Sequence, residues 1–316
     1  MTDRELQCRA FLDGTRWQSW SDTPLAGDAS ARRYVRLTGP EGERAILMDA
    51  DPATGERVAP FVRIAEWLVS QGLSAPHILH HAVADGFLLL DDLGPDTIAV
   101  AANAGPENEL YDAAVDVLIA LDAATPPDGL TLMVPQVGAE MVAIVAETYH
   151  PCNPGPLVAA TRDALMRLAP RADRIALRDY HAENLIWRPD RTGLDRVGLL
   201  DFQDAFTAPR GYDLASLLRD IRRPVSETQV TRQTARFAAA TGADPVALAA
   251  QLAALGAQRN LRILGVFARL VQHGKSRYAA YLPDVWDTLQ RDLAHPSLHD
   301  LREVVLTTLP PPQDRR

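Results

Sequence analysis

Strand-like segments in this chain are confined to roughly its first ninety residues and one short island near residue 190. Almost everything else carries helical periodicity, and this order constrains the fold more than any other feature. Tyr34-Val35-Arg36-Leu37 and Ala45-Ile46-Leu47-Met48 are short apolar runs separated by Gly39-Pro40-Glu41-Gly42, which predicts a hairpin. Val58, Phe61, Val62, Ala65, Leu68 and Val69 form an apolar stripe at helical spacing that stops at Gly72. Phe87-Leu88-Leu89-Leu90 reads as a buried strand, and Asp91-Asp92-Leu93-Gly94-Pro95 breaks the chain after it. Helical patterns cover roughly 107–124, 138–149 and 156–168, and resume from about 212 to 308. Between them, in the 175–202 island, Ile186-Trp187 and Val197-Gly198-Leu199-Leu200 flank an Arg191-Thr192-Gly193 turn. The expectation is an α+β protein of two unequal lobes, 1–93 and 94–316.

At 316 residues and 47% hydrophobic content, the chain has enough apolar surface for a real core. Its net charge of −9 argues against a face-wide basic footprint, so neither nucleic acid nor an anionic membrane is an expected partner. The basic residues are almost all arginine, and Lys275 is the one lysine. Cys8 and Cys152 match no metal-ligand spacing and are expected to be free thiols. The opening Met-Thr-Asp-Arg-Glu-Leu lacks a basic stretch leading into an apolar one, and no apolar run approaches the roughly 18 residues that span a bilayer. A soluble, cytoplasmic protein is expected.

The densest chemistry lies in the island. Leu177-Arg178-Asp179-Tyr180-His181-Ala182-Glu183-Asn184 places an Asn five residues after an Asp, and Leu199-Leu200-Asp201-Phe202-Gln203-Asp204 ends an apolar strand in a second Asp. Phosphoryl transfer needs such a set: a carboxylate to orient the attacking hydroxyl and accept its proton, and oxygen ligands for the Mg²⁺ that bridges the phosphates. Asp and Asn also populate ordinary turns. A D-x4-N loop followed by a strand ending in Asp-Phe is much rarer, and points to a metal–phosphate site.

On these residues the chain resembles the aminoglycoside phosphotransferase and choline kinase superfamily, whose members share the bilobal protein-kinase-like fold. The resemblance implies ATP as co-substrate, with GTP open, and Mg²⁺. It implies a nucleotide-binding first lobe and a mainly helical second lobe carrying the catalytic loop and acceptor site. It makes Asp179 the catalytic base and Asn184 and Asp201 the metal ligands. In Pro209-Arg210-Gly211-Tyr212-Asp213-Leu214-Ala215, Asp213 becomes the buttress of the catalytic loop, and His181 a supporting hydrogen-bonder. One branch is more similar still, the anomeric sugar kinases that phosphorylate N-acetylmuramate and N-acetylglucosamine in cell-wall recycling. Its traits are Gly27-Asp28-Ala29-Ser30-Ala31-Arg32-Arg33-Tyr34, Ile46-Leu47-Met48-Asp49-Ala50, Asp201-Phe202-Gln203-Asp204-Ala205 and Gly265-Val266-Phe267-Ala268-Arg269-Leu270.

Kinase-like folds usually carry a lysine on the third strand to hold the α- and β-phosphates. Here Met48 or Asp49 stands at that place, Leu177 replaces the family's histidine two residues before the catalytic Asp, and Asp201 is followed by Phe202-Gln203. In one reading Arg32 and Arg33 meet the phosphates bidentately, while Gly27, Ala29 and Ser30 let backbone N–H groups approach. In the other, the chain is a pseudokinase that binds nucleotide without turnover. Asp91, Asp92 and Leu93 take the hinge position that presents backbone to adenine.

On the acceptor side, Gln203 and Asp204 are candidate partners for sugar hydroxyl or amide groups. Arg219 and Arg222 are candidates for a lactyl carboxylate, with exposed helical arginine as the plain alternative. Lys275, Arg277, Tyr278 and Tyr281 are either sugar-facing or packing residues. The helical part shows no acidic cluster of the kind a polycationic aminoglycoside needs, which favours an amino sugar over an antibiotic or other small alcohol. Only about twelve residues separate Asp201 from Asp213, too few for the activation segment of a protein kinase.

Overall fold

The computed structural model describes residues 2–25 and 31–314, and the chain divides into two compact units. The first comprises 1–98 and 185–204, the second 99–184 and 205–316. The expected lobe of 94–316 thus differs from the observed grouping in two segments, 94–98 and 185–204. The reason is hydrogen bonding: Leu199 N–H donates to Ser74 O at 2.7 Å and Trp187 N–H to Asp96 O at 2.7 Å. Ser74 Oγ also bonds Asp195 and Arg188, both at 2.8 Å.

The first unit opens with helix α1 (Asp3–Leu12), capped by Thr2. A five-stranded antiparallel sheet follows, of β1 (Ser21–Pro24), β2 (Arg33–Thr38), β3 (Arg44–Asp49), β4 (Ile78–Ala82) and β5 (Phe87–Asp91), in the order β1-β2-β3-β5-β4. The predicted hairpin is β2–β3, with Tyr34 opposite Met48 and Arg33 opposite Asp49. Helix α2 (Ala59–Ser70) buries Phe61, Ile64, Ala65 and Leu68 at the predicted spacing. The outer strands β1 and β4 carry mostly exposed side chains, which is why no apolar pattern announces them.

The second unit contains α3 (Ile98–Ala101, whose first residue belongs to the first unit), α4 (Glu107–Ala123), α5 (Pro135–Glu140), α6 (Ile144–Thr148) and α7 (Gly155–Leu168). Strands β6 (Arg174–Ala176) and β9 (Phe206–Ala208) pair antiparallel within it. Strands β7 (Leu185–Trp187) and β8 (Val197–Leu199) form the predicted island hairpin in the first unit. The helical run ends with α8 (Tyr212–Leu218), α9 (Glu227–Thr241), α10 (Pro245–Gln272), α11 (Leu282–Leu293) and α12 (His299–Thr308). Helix α10 is the core of this unit, capped by Asp244 and buried along most of its length. The single helix expected over 138–149 is broken into α5, a 3-10 turn at Met141–Ala143 and α6. Gly265 of α10 lies so close to the Ile144–Val145 backbone that no side chain would fit there.

Candidate active site

In the second unit the chain leaves β6 through Leu177 and Arg178, reaches Asp179, and closes in a 3-10 turn at Ala182–Asn184. The side-chain nitrogen of Asn184 donates to Asp179 O at 2.9 Å and lies 3.2 Å from His181 Nε2, while Asn184 N–H donates to His181 O. Asp179, His181 and Asn184 are therefore one hydrogen-bonded loop, as their spacing predicts. Below it, Asp213 accepts Leu177 N–H at 2.5 Å and Arg178 N–H at 3.0 Å. Gly211, at φ 78°, turns the chain into α8 so that Asp213 falls in its first turn. Burial pushes the Asp213 carboxyl up to about 7, against the two N–H donors and Arg259, which favour its charged form.

Three supports of this loop carry no motif of their own. Arg259, buried in α10, donates to Arg178 O at 2.8 Å and to Ser216 Oγ at 2.5 Å, with its guanidinium over the Tyr212 ring. Burial works against its charge, but Tyr212, Asp179 and Asp213 outweigh it and raise its pKa. Tyr180, fully buried, donates its hydroxyl to Ala114 O in α4. Asp220 is raised by burial while the N–H groups of Arg222 and Ala182 favour its carboxylate, so a second acid faces the loop from below. A buried charge inside a helix is a signal that could have marked Arg259, since charges are rarely buried without a partner.

In the first unit Asp201 follows β8 in the left-handed region, at φ 57°. Gln203 donates to its Oδ1 at 2.7 Å, and Phe202 packs on Phe61 of α2 with ring centroids 4.8 Å apart. Asp204 is exposed. Arg32 pairs with Glu56 at 2.9 Å. Tyr34 is raised by its burial, with Arg32, Asp201 and Glu56 all acting on it, so these four side chains share one neighbourhood. Arg33 lies instead against Asp49, which also binds Arg4 at 2.7 Å. Met48 is completely buried in β3. Ser30, with Gly27 and Ala29, lies outside the described residues. Asp91 accepts His77 N–H at 2.5 Å, and Leu93 packs where a side chain on Gly198 would stand.

Asn184 in the second unit and Asp201 in the first each carry an oxygen of the kind a hard divalent cation takes. Asn184 presents its nitrogen to Asp179 O, which directs the amide oxygen the other way, and Gln203 orients the Asp201 carboxylate. Elsewhere in the second unit, Arg219 binds Asp292 at 2.7 Å and Arg222 binds Glu183 at 3.2 Å. Tyr278 is buried against Phe267 and belongs to the packing.

The model of the phosphotransferase enzyme family matches residues 21–250. An N-acetylmuramate/N-acetylglucosamine kinase of Caulobacter vibrioides is 37% identical, covering 95% of both chains. One of the same name from Pseudomonas aeruginosa is 32% identical over 91% of this chain and 88% of its own. Among solved structures, a choline/ethanolamine kinase family protein from Mesorhizobium loti superposes with a TM-score of 0.67 at 14% identity, covering 96% of this chain and 99% of that one. An amicoumacin kinase bound to AMP-PNP and Ca²⁺ superposes at 0.65 with 14% identity, covering 95% and 97%. The fold is kinase-like.

Proposed function

The chain belongs to the phosphotransferase enzyme family, and from that premise we propose that it moves the γ-phosphate of ATP to the anomeric hydroxyl of N-acetylmuramate or N-acetylglucosamine in the cytoplasm. The observation that carries this reading is the Asp179–Asn184 loop, held by Asp213 and Arg259, in a chain 37% identical to a kinase of that name.

Asp179 aligns the attacking hydroxyl and accepts its proton as the phosphoryl group transfers. Asn184 and Asp201 are the residues that would hold Mg²⁺, whose chemistry is to neutralise the charge on the β- and γ-phosphates. His181 fixes Asn184, and Asp213 fixes the backbone on which Asp179 stands. At the phosphate end Arg32, oriented by Glu56, serves where the strand lysine is missing, and Arg33, paired with Asp49, is the second candidate. Backbone at Asp91 and Leu93 receives the purine, and Ser30 adds a phosphate contact. Gln203 and Asp204 adjoin the sugar.

A coupled assay with N-acetylmuramate, N-acetylglucosamine, kanamycin and choline tests the reading. ADP release with the two amino sugars is the expected result. Turnover with kanamycin or choline alone would reassign the acceptor, and nucleotide binding without any turnover would make the chain a pseudokinase.

A further inference from the structure

Asp122 has no part in the reading above, yet it ties together the two chain segments that carry Asp179 and its buttress. It stands in the last turn of α4, where the negative end of the helix disfavours a carboxylate, and its side chain is only 8% exposed. Two arginines offset that cost. Arg210 donates its Nε–H to Asp122 Oδ1 at 2.8 Å, and Arg174 Nε lies 3.3 Å from the same oxygen. Arg174 opens β6, the strand that runs directly into Leu177, Arg178 and Asp179. Arg210 follows β9 and immediately precedes Gly211, whose turn delivers Asp213 into α8.

Strands β6 and β9 pair with Arg174 opposite Ala208, so the two segments run side by side as one frame. Asp213 closes this frame at the catalytic end by accepting from Leu177 and Arg178, and Asp122 closes it at the other end. Without the Asp122 carboxylate, two partly buried guanidinium groups would be left near one another with like charge, and β6 would move away from the Arg210 segment. We propose that Asp122 is a positioning residue for phosphoryl transfer. By bridging Arg174 and Arg210 it sets the spacing at which Asp213 holds the Leu177 and Arg178 amides, and through them the place of the Asp179 carboxylate. The proposal rests on Asp179 as the base in the reading above, and not on which acceptor is used.

The test compares Asp122→Ala and Asp122→Asn with the wild type and with Asp116→Asn, which removes the exposed Asp116–Arg236 pair on the same helix. kcat and KM are measured with whichever acceptor turns over, alongside hydrogen exchange of the Leu177 and Arg178 amides. A shift of 1 Å at a reacting group costs roughly 10²-fold, and a smaller shift is expected here, so kcat should fall about tenfold in Asp122→Ala. KM for ATP and for the acceptor should stay within about twofold, because the bridge touches neither. Asp122→Asn keeps the shape and loses the charge, and should cost about threefold. In both variants the two amides should exchange faster while those of α10 keep the wild-type rate, and Asp116→Asn should change nothing. Adding Arg210→Met to Asp122→Ala should cost no more than Asp122→Ala alone; multiplied losses would mean that the two side chains act separately. Wild-type kcat, unchanged amide protection, or faster exchange throughout the second unit would each overturn the assignment, the last by making Asp122 a residue of general stability. If Asp122→Ala does not fold, Asp122→Asn decides by the same measurements. If no acceptor is turned over, the functional reading fails by itself, and exchange at Leu177 and Arg178 still decides the bridge.

Discussion

Asn184 donates its side-chain N–H to the main-chain carbonyl of Asp179 at 2.9 Å, so the candidate metal ligand also braces the candidate base. The two functions of the loop are mechanically joined. Disturbing either residue is expected to disturb both.

Asn184→Ala removes an oxygen ligand and the brace together. Turnover should fall by roughly 10²-fold or more, and added Mg²⁺ should restore only part of it. A Mg²⁺ titration of initial rates checks this; full recovery at high Mg²⁺ would show that the brace contributes nothing.

Asp179→Asn keeps the shape of the loop and removes the proton acceptor. The rate should drop by about 10²–10⁴-fold, with nucleotide affinity within about threefold of wild type. Stopped assays paired with a fluorescent-nucleotide titration separate the two effects.

Asp213→Asn turns a double acceptor into a group with one acceptor oxygen, and sets an amide nitrogen against an N–H donor. One buried N–H then lacks a partner, at about 1–3 kcal/mol. Both the melting temperature and kcat should fall, kcat by roughly tenfold or more. A variant with wild-type kcat would remove Asp213 from the buttress role.

Arg32→Met should weaken ATP binding by about tenfold, the scale of one lost charge-assisted contact. Glu56→Gln should weaken it less, by loosening Arg32 without removing it. Equal affinity in all three proteins would rule Arg32 out as the lysine substitute.

Asp292 supplies a pH prediction. Burial raises it from 3.8 to about 6, with Arg219 and Asn260 favouring the charged form. The folded state then holds a proton that the unfolded chain releases, so this contribution to stability is full below about pH 4 and is lost as pH rises through about 6. Each tenfold gain in proton affinity on folding is worth about 1.4 kcal/mol at most. Chemical denaturation of wild type and Asp292→Asn between pH 4 and 7 should show the variant's curve flatter across that window.

The candidate catalytic loop was legible as a unit because it is local. Asp179, His181 and Asn184 lie within six residues, and a short loop brings such neighbours together in any context. The β2–β3 hairpin and α2 were legible for the same reason, since turn residues and periodicity act over a few positions. The strands β1 and β4 were not, because their exposed edges carry no apolar alternation. The break between α5 and α6 was hidden too, since the 3-10 turn at Met141–Ala143 contains neither glycine nor proline to announce it.

The amino-acid sequence alone therefore determined which residues are the candidates for the reaction, and that no lysine stands on the third strand. It also determined the order of sheet and helices. Tertiary structure decided what holds those residues in place: Asp213 under Leu177, Arg259 against the Arg178 carbonyl, and the Tyr180 hydroxyl on Ala114 O. Such pairings depend on how buried helices pack, and burial is what makes each unpaired charge or N–H costly enough to enforce them. That energy belongs to the folded interior, so no spacing along the chain announces it.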